Sequence, residues 1–236
     1  LVNRMGTTLA LQLGEETGAS PAQVAGAWYA ASQILDAEAL WREIEALDLQ
    51  LDAARQIELM LALRAMTAAA TELILAQHLG GMTIGELVDE YRPAVVAAIA
   101  RVRQGRSGEQ AATALTAEAP AIVGAIDRVN LARACAQSLD EVARGLVELA
   151  SHLDLDWLAA AVARLPASNR WQARARARLA VELAELRQNL LRHVLGGRLP
   201  ATAAARSVLD EMKMNEPQDL AMLSAGLAEL RRVMGA

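Results

Sequence analysis

The sequence predicts an all-α fold: a multi-helix bundle of ten or more helices, with two long central helices and no sheet. Three observations predict it. Hydrophobic residues make up 54% of the 236 positions, much of that share alanine, which loses no side-chain entropy in a helix. Helix start and stop signals recur from end to end. Only one stretch alternates like a strand, at Leu9, Leu11 and Leu13, and nothing later offers it a partner. Met5, Leu9 and Leu13 also share a helical face, so that stretch is read as helix.

The start signals are specific. Ser20 with Gln23, Thr83 with Glu86, Ser107 with Gln110 and Ser138 with Glu141 match the capping box, in which hydroxyl and carboxyl or amide each satisfy a backbone donor. Pro21 sits at a first helical position, where its missing N–H costs nothing. Gly18, Gly80-Gly81 and Gly196-Gly197 supply stops that can turn left-handed. The expected segments are Val2–Thr17, Pro21–Leu35, Ala37–Leu47, Ala53–Leu79, Ile84–Tyr91, Pro93–Gln104 and Gly108–Glu118. They continue with Pro120–Gln137, Leu139–Ser151, Leu155–Leu165, Asn169–Leu195, Ala201–Met214 and Pro217–Met234, with fusions expected across Pro93 or near Pro120.

Two of these are long enough to organise a bundle. Ala53–Leu79 is apolar nearly all round, as a central helix would be. Asn169–Leu195 carries one stripe, Trp171, Ala175, Leu179, Leu183, Leu186, Leu190 and Val194, with Arg178 and Glu182 as an i,i+4 pair beside it. Phenylalanine is absent, so Leu, Ile, Val, Met and Ala must build the core, with four tryptophans as bulky fillers. The chain reads as one helical domain over 1–236, with two possible halves at 1–104 and 108–236 and a hinge near 103–109.

Net charge is −5, which gives no general attraction for nucleic acid or anionic lipid. The one cysteine, Cys135, cannot form an internal disulfide and suits a reducing compartment. No uninterrupted apolar run reaches the ~18 residues of a membrane span; the longest clean stretch lies near Pro93–Ala100. The chain opens on Leu1-Val2-Asn3-Arg4, without a starting methionine or the layout of a signal peptide, and is read as a piece of something longer.

Reacting groups are not evident. No Gly-x-Gly-x-x-Gly turn follows a strand, and the glycine pairs follow helices. The only lysine is Lys213, against a lysine-dependent site. His78, His152 and His193 stand far apart. His152 with Asp154 and Asp156 is the one metal-like cluster, but Asp154 also suits a helix cap. His78 and His193 precede glycine pairs, where a cation favours a helix C-terminus. Cys135 reads as a small buried hydrophobe. Carboxylate pairs such as Glu15 with Glu16, or Asp36 with Glu38, fall at helix ends. No catalytic, cofactor-binding or metal residue is therefore expected. The edge formed by Arg170, Arg174 and Arg178, with Arg176 nearby, suits an interface, a phosphate or acidic ligand, or plain solvent.

Residue strings go further. Val2-Asn3-Arg4-Met5-Gly6, Glu15-Glu16-Thr17-Gly18-Ala19-Ser20, Leu40-Trp41 and Ile44-Glu45-Ala46-Leu47-Asp48 resemble the stretch after the catalytic domain of large NAD-specific glutamate dehydrogenases. Leu155-Asp156-Trp157-Leu158 and Arg170-Trp171-Gln172-Ala173-Arg174-Ala175-Arg176 are similar to strings near that family's carboxy-terminus. The resemblance implies a non-catalytic helical C-terminal domain with a structural, assembly or regulatory role. The parent would convert L-glutamate, NAD and water to 2-oxoglutarate, ammonia and NADH. It also implies a cytoplasmic homo-oligomer, commonly a tetramer, with NAD and the catalytic lysines held upstream. Asn3 and Arg4 would lie where the domain joins that core, or form an ordinary helix start. A free-standing helical scaffold, or an effector-binding regulatory bundle, is the alternative. No nucleic-acid or membrane partner is expected.

Overall fold

A computed structural model describes residues 11–47, 52–165, 169–197 and 202–235. The expectations for Met5, Leu9, Asn3 and Arg4, and for the side chain of Arg170, lie outside what is described. Among the described residues there is no strand, and twelve helices are present. The first, α1, is described over residues 11–17. It is followed by α2 (Pro21–Ile34), α3 (Ala37–Ala46), α4 (Ala53–Leu79), α5 (Ile84–Arg103), α6 (Gly108–Ala117) and α7 (Ala119–Cys135). Then come α8 (Leu139–His152), α9 (Leu155–Arg164), α10 (Arg170–Leu195), α11 (Thr202–Met214) and α12 (Leu220–Met234).

The helix across Pro93 is continuous. Proline deprives the Asp89 carbonyl of its donor, but both residues are exposed, so water can take the donor's place. Near Pro120 the chain does break, at Glu118, between α6 and α7. Three capping boxes form as expected, at Ser20, Thr83 and Ser138. Ser107 occupies its N-cap position without a side-chain bond. Gly108, the next residue, has φ +53, a left-handed conformation in place of the right-handed helical one that the first residue after a capping serine takes. Gly18, Gly81 and Gly197 all take positive φ at helix ends.

The chain divides into two compact units, one spanning 1–14 and 18–130, the other 15–17 and 131–236. The division falls inside α7. The 103–109 stretch, expected to be a hinge, is a turn within the first unit between α5 and α6, which pack on each other.

In the first unit α2 packs chiefly on α4 and α5. Its buried face is Val24, Ala27, Ala30, Ala31 and Ile34. Small side chains there let the backbones approach closely. α4 answers with Met66, Ala70 and Ile74, together with Thr67 and Thr71. The two buried hydroxyls are satisfied within the helix: Thr67 donates to the Leu63 carbonyl at 3.0 Å and Thr71 to that of Thr67 at 2.7 Å. Across the unit, Tyr91 of α5 is fully buried, and its hydroxyl donates to Asn130 Oδ1 of α7 at 2.5 Å. Asn130 in turn donates to the Leu73 carbonyl of α4 at 3.1 Å. One polar chain thus links three helices inside an apolar core.

α4 is not buried all round. Its N-terminal half leaves Ile57 and Leu61 56% and 54% exposed. It is the one described helix long and apolar enough to cross a membrane by length and composition. Arg64 and Glu72 interrupt it on its exposed side, and its other side supplies the core of the first unit.

The second unit gathers α8 to α12 around Leu158, Leu186, Leu190, Leu209, Leu223 and Leu230. The α10 stripe is buried from Leu179 to Val194 and not before it: Trp171 is 78% exposed and Ala175 exposed. Tryptophans do not fill the core; Trp28, Trp41 and Trp157 are half-buried at its margins. Glu182 meets Arg231 of α12 at 3.6 Å in place of the expected Arg178 pair. Where α8 crosses α10, Gly145 permits the contact: a Cβ there would lie 2.7 Å from Leu191 Cδ1 and 3.0 Å from Leu195 Cδ2.

Two stability outcomes follow. Tyr91→Phe leaves the Asn130 carbonyl oxygen without its donor, and thermal melts will show a loss of about 1–3 kcal/mol. Gly145→Val forces a branched side chain against the fully buried Leu191 and lowers stability by about 1–3 kcal/mol. An unchanged Tm in either variant contradicts the packing account for that position.

Candidate functional site

A polar cleft of about 200 Å³ opens in the second unit beside α11. Arg206, Asp210 and Lys213 enter it from α11 at i, i+4 and i+7, one face of the helix. Ser151, His152 and Asp154 line the other side, from the end of α8 and the start of α9. Asp154 is the N-cap of α9, accepting from the Trp157 N–H at 3.1 Å. Its other oxygen accepts from Lys213 Nζ at 2.7 Å. The same ammonium lies 5.7 Å from the centroid of the Trp157 ring. Arg206 Nε donates to the His152 carbonyl at 3.2 Å.

These groups are engaged with one another. The Lys213 ammonium and the Trp157 N–H hold the Asp154 carboxyl below the usual carboxylate range, which makes it a poor base. Lys213, the only lysine of the chain, is committed to an ion pair and an indole face. Among the described residues no group of three or more His, Cys, Asp and Glu side chains could hold a metal ion. Asp154 caps α9 and pairs with Lys213; the cap is one of the two readings the sequence offered for His152, Asp154 and Asp156.

The remaining candidates have local roles. His78 Nδ1 donates to the Met82 carbonyl at 2.9 Å and so ties down the turn after α4. His193 is half-buried in the last turn of α10. Cys135 ends α7, half-buried among Val142, Leu191 and Leu195. Burial pushes its thiol pKa up, and the nearby Arg192 guanidinium offsets this only in part, so a thiolate nucleophile is disfavoured.

The arginine edge divides by position. Arg176 pairs with Glu16 at 3.6 Å and donates to the Leu165 carbonyl at 3.4 Å. Arg174 Nε donates to the Glu15 carbonyl at 3.3 Å. Arg178 is exposed. The sequence reading found this edge but missed the cleft. The i, i+4, i+7 spacing of Arg206, Asp210 and Lys213 was a signal for a charged face; that α11 lies along the α8–α9 junction is a tertiary fact.

The Asp154–Lys213 pair has a pH signature. A depressed folded pKa contributes stability that is complete above the unfolded value of about 3.9. That stability is lost as pH falls through the lower folded value. The carboxylate is largely solvated, so the effect stays below about 1 kcal/mol. Asp154→Asn keeps the cap acceptor and loses the ion pair. The variant's Tm is expected to trail at neutral pH, and the gap to close once pH falls through the lowered folded value; a gap that persists in strong acid contradicts this assignment.

Comparison with known proteins places the chain. The family described as glutamate dehydrogenase, C-terminal, matches residues 1–116 and 98–232. An NAD-specific glutamate dehydrogenase of Halomonas elongata is 27% identical over 194 residues, 75% of this chain and 12% of that protein. One of Pseudomonas aeruginosa is 28% identical over 194 residues, with the same two shares. The chain thus spans about an eighth of the length of these relatives. With the match extending along most of the all-helical chain, the chain belongs to the glutamate dehydrogenase C-terminal family.

Proposed function

We propose that this chain is a non-catalytic helical module of an NAD-dependent glutamate dehydrogenase, which braces the catalytic region or helps assemble subunits. The match of the C-terminal family along nearly the whole chain carries this reading. The parent would oxidise L-glutamate with NAD and water to 2-oxoglutarate, ammonia and NADH. NAD and the reacting lysines would belong to the upstream polypeptide, in a cytoplasmic homo-oligomer such as a tetramer.

Chemistry supports the division of labour. Dinucleotide binding needs backbone amides at a glycine-rich strand-to-helix turn, and no strand occurs among the described residues. Amine chemistry on glutamate needs an available lysine, and the one present is held by Asp154 and Trp157. What the chain does offer is two leucine–alanine cores that hold helices at fixed spacing. Interactions that do not change between ground and transition state leave kcat alone.

The isolated chain, given glutamate and NAD, is expected to form no NADH by absorbance. In the parent enzyme, Lys213→Ala is expected to leave kcat within about twofold. NADH formation by the chain alone, or loss of turnover in a folded, fully assembled Lys213→Ala enzyme, overturns the reading.

A further inference from the structure

We propose that the exposed face at the start of α10, centred on Trp171, docks on an acidic surface of the remainder of the same dehydrogenase polypeptide. The inference rests on the reading above, that this chain is one module of a longer enzyme.

The two ends of α10 differ. Leu183, Leu186, Leu190 and Val194 are buried in the second unit, whereas the stretch 171–178 contributes no buried side chain. Trp171, Arg174, Ala175, Arg178 and Val181 are all exposed, and steps of three and four put them on one face. Trp171 is 78% exposed and Val181 58%. Tryptophan and arginine are the side chains that most often anchor an interface once water is excluded. Presented together to solvent, they form a surface without its counterpart among the described residues.

Charge names the counterpart. Residues 169–181 contain Arg170, Arg174, Arg176 and Arg178 and no acid. Cations at a helix N-terminus oppose its dipole, so this composition does not serve the helix itself. Arg176 finds a carboxylate in Glu16, and Arg174, among the described residues, reaches the Glu15 carbonyl. Arg178 has no carboxylate partner among the described residues. A second copy of this face would bring arginine to arginine across a two-fold interface. Nucleic acid is disfavoured by the net charge of −5. An acidic protein surface fits, and the matched part of this chain is only 12% of its relatives' length, leaving most of such an enzyme to supply it.

The test uses the full-length dehydrogenase with a photo-crosslinking amino acid, p-benzoylphenylalanine, in place of Trp171. Val147 is 73% exposed on α8 and serves as the control position. The expected result is an intra-enzyme crosslink from position 171 to an acidic segment upstream, several-fold above the yield from 147. Adding Arg178→Glu is expected to cut that yield several-fold. An active enzyme in which position 171 crosslinks no better than 147 overturns the docking surface and leaves the module reading standing. A crosslink only to another copy of α10, to nucleic acid or to a separate protein overturns it too. If the gene encodes no dehydrogenase sequence upstream of this chain, the module reading falls first.

Discussion

In the first unit the helix backbones meet at alanine. Ala27, Ala30 and Ala31 of α2 and Ala70 of α4 have no exposed surface, and Ile34, Ile74, Leu87 and Tyr91 close around them. Packing density in a core is as high as in an organic crystal, so a chain without phenylalanine must bring its backbones together. That closeness limits the rest. It admits short hydroxyls such as Thr67 and Thr71 that bond within their own helix, and it excludes indoles, which stand at the margins. In the second unit Gly145 permits the same closeness between α8 and α10.

Close packing of nearly featureless side chains specifies few unique arrangements. The Tyr91–Asn130–Leu73 hydrogen-bond chain adds what alanine cannot. A buried phenol and amide are tolerated only in the register that satisfies them, so they select one alignment of α4, α5 and α7 from many of similar apolar burial. No buried side-chain nitrogen or oxygen among the described residues lacks a partner.

Much of this architecture was legible in the sequence, because helix ends are local chemistry. Ser20, Thr83 and Ser138 act within three residues of themselves, and Gly18, Gly81 and Gly197 act through their own φ. Burial was less legible. The apolar N-terminal half of α4 reads as interior, yet Ile57 and Leu61 meet solvent; composition records what a helix could bury, whereas its neighbours decide what it does bury. Trp171 misled for the same reason, since its spacing continues the Leu179–Val194 stripe beyond the point where the buried core of the second unit ends. The 103–109 glycine turn resembles a linker in composition, but α5 and α6 fold back on each other there. At the cleft, Asp154 was readable as a cap. Its pairing with Lys213 joins residues 59 apart in sequence and could not be read locally.

The solitary amine of Lys213 has a practical corollary. Reagents that bridge two lysines cannot link this chain to itself, because it holds only one. Any lysine-to-lysine bridge that reaches α11 in a larger assembly therefore reports a neighbour outside this copy of the 236 residues, either another part of the polypeptide or a second copy. The spacer length then bounds that neighbour's distance from the Asp154–Trp157 turn, which makes this position a single-point molecular ruler.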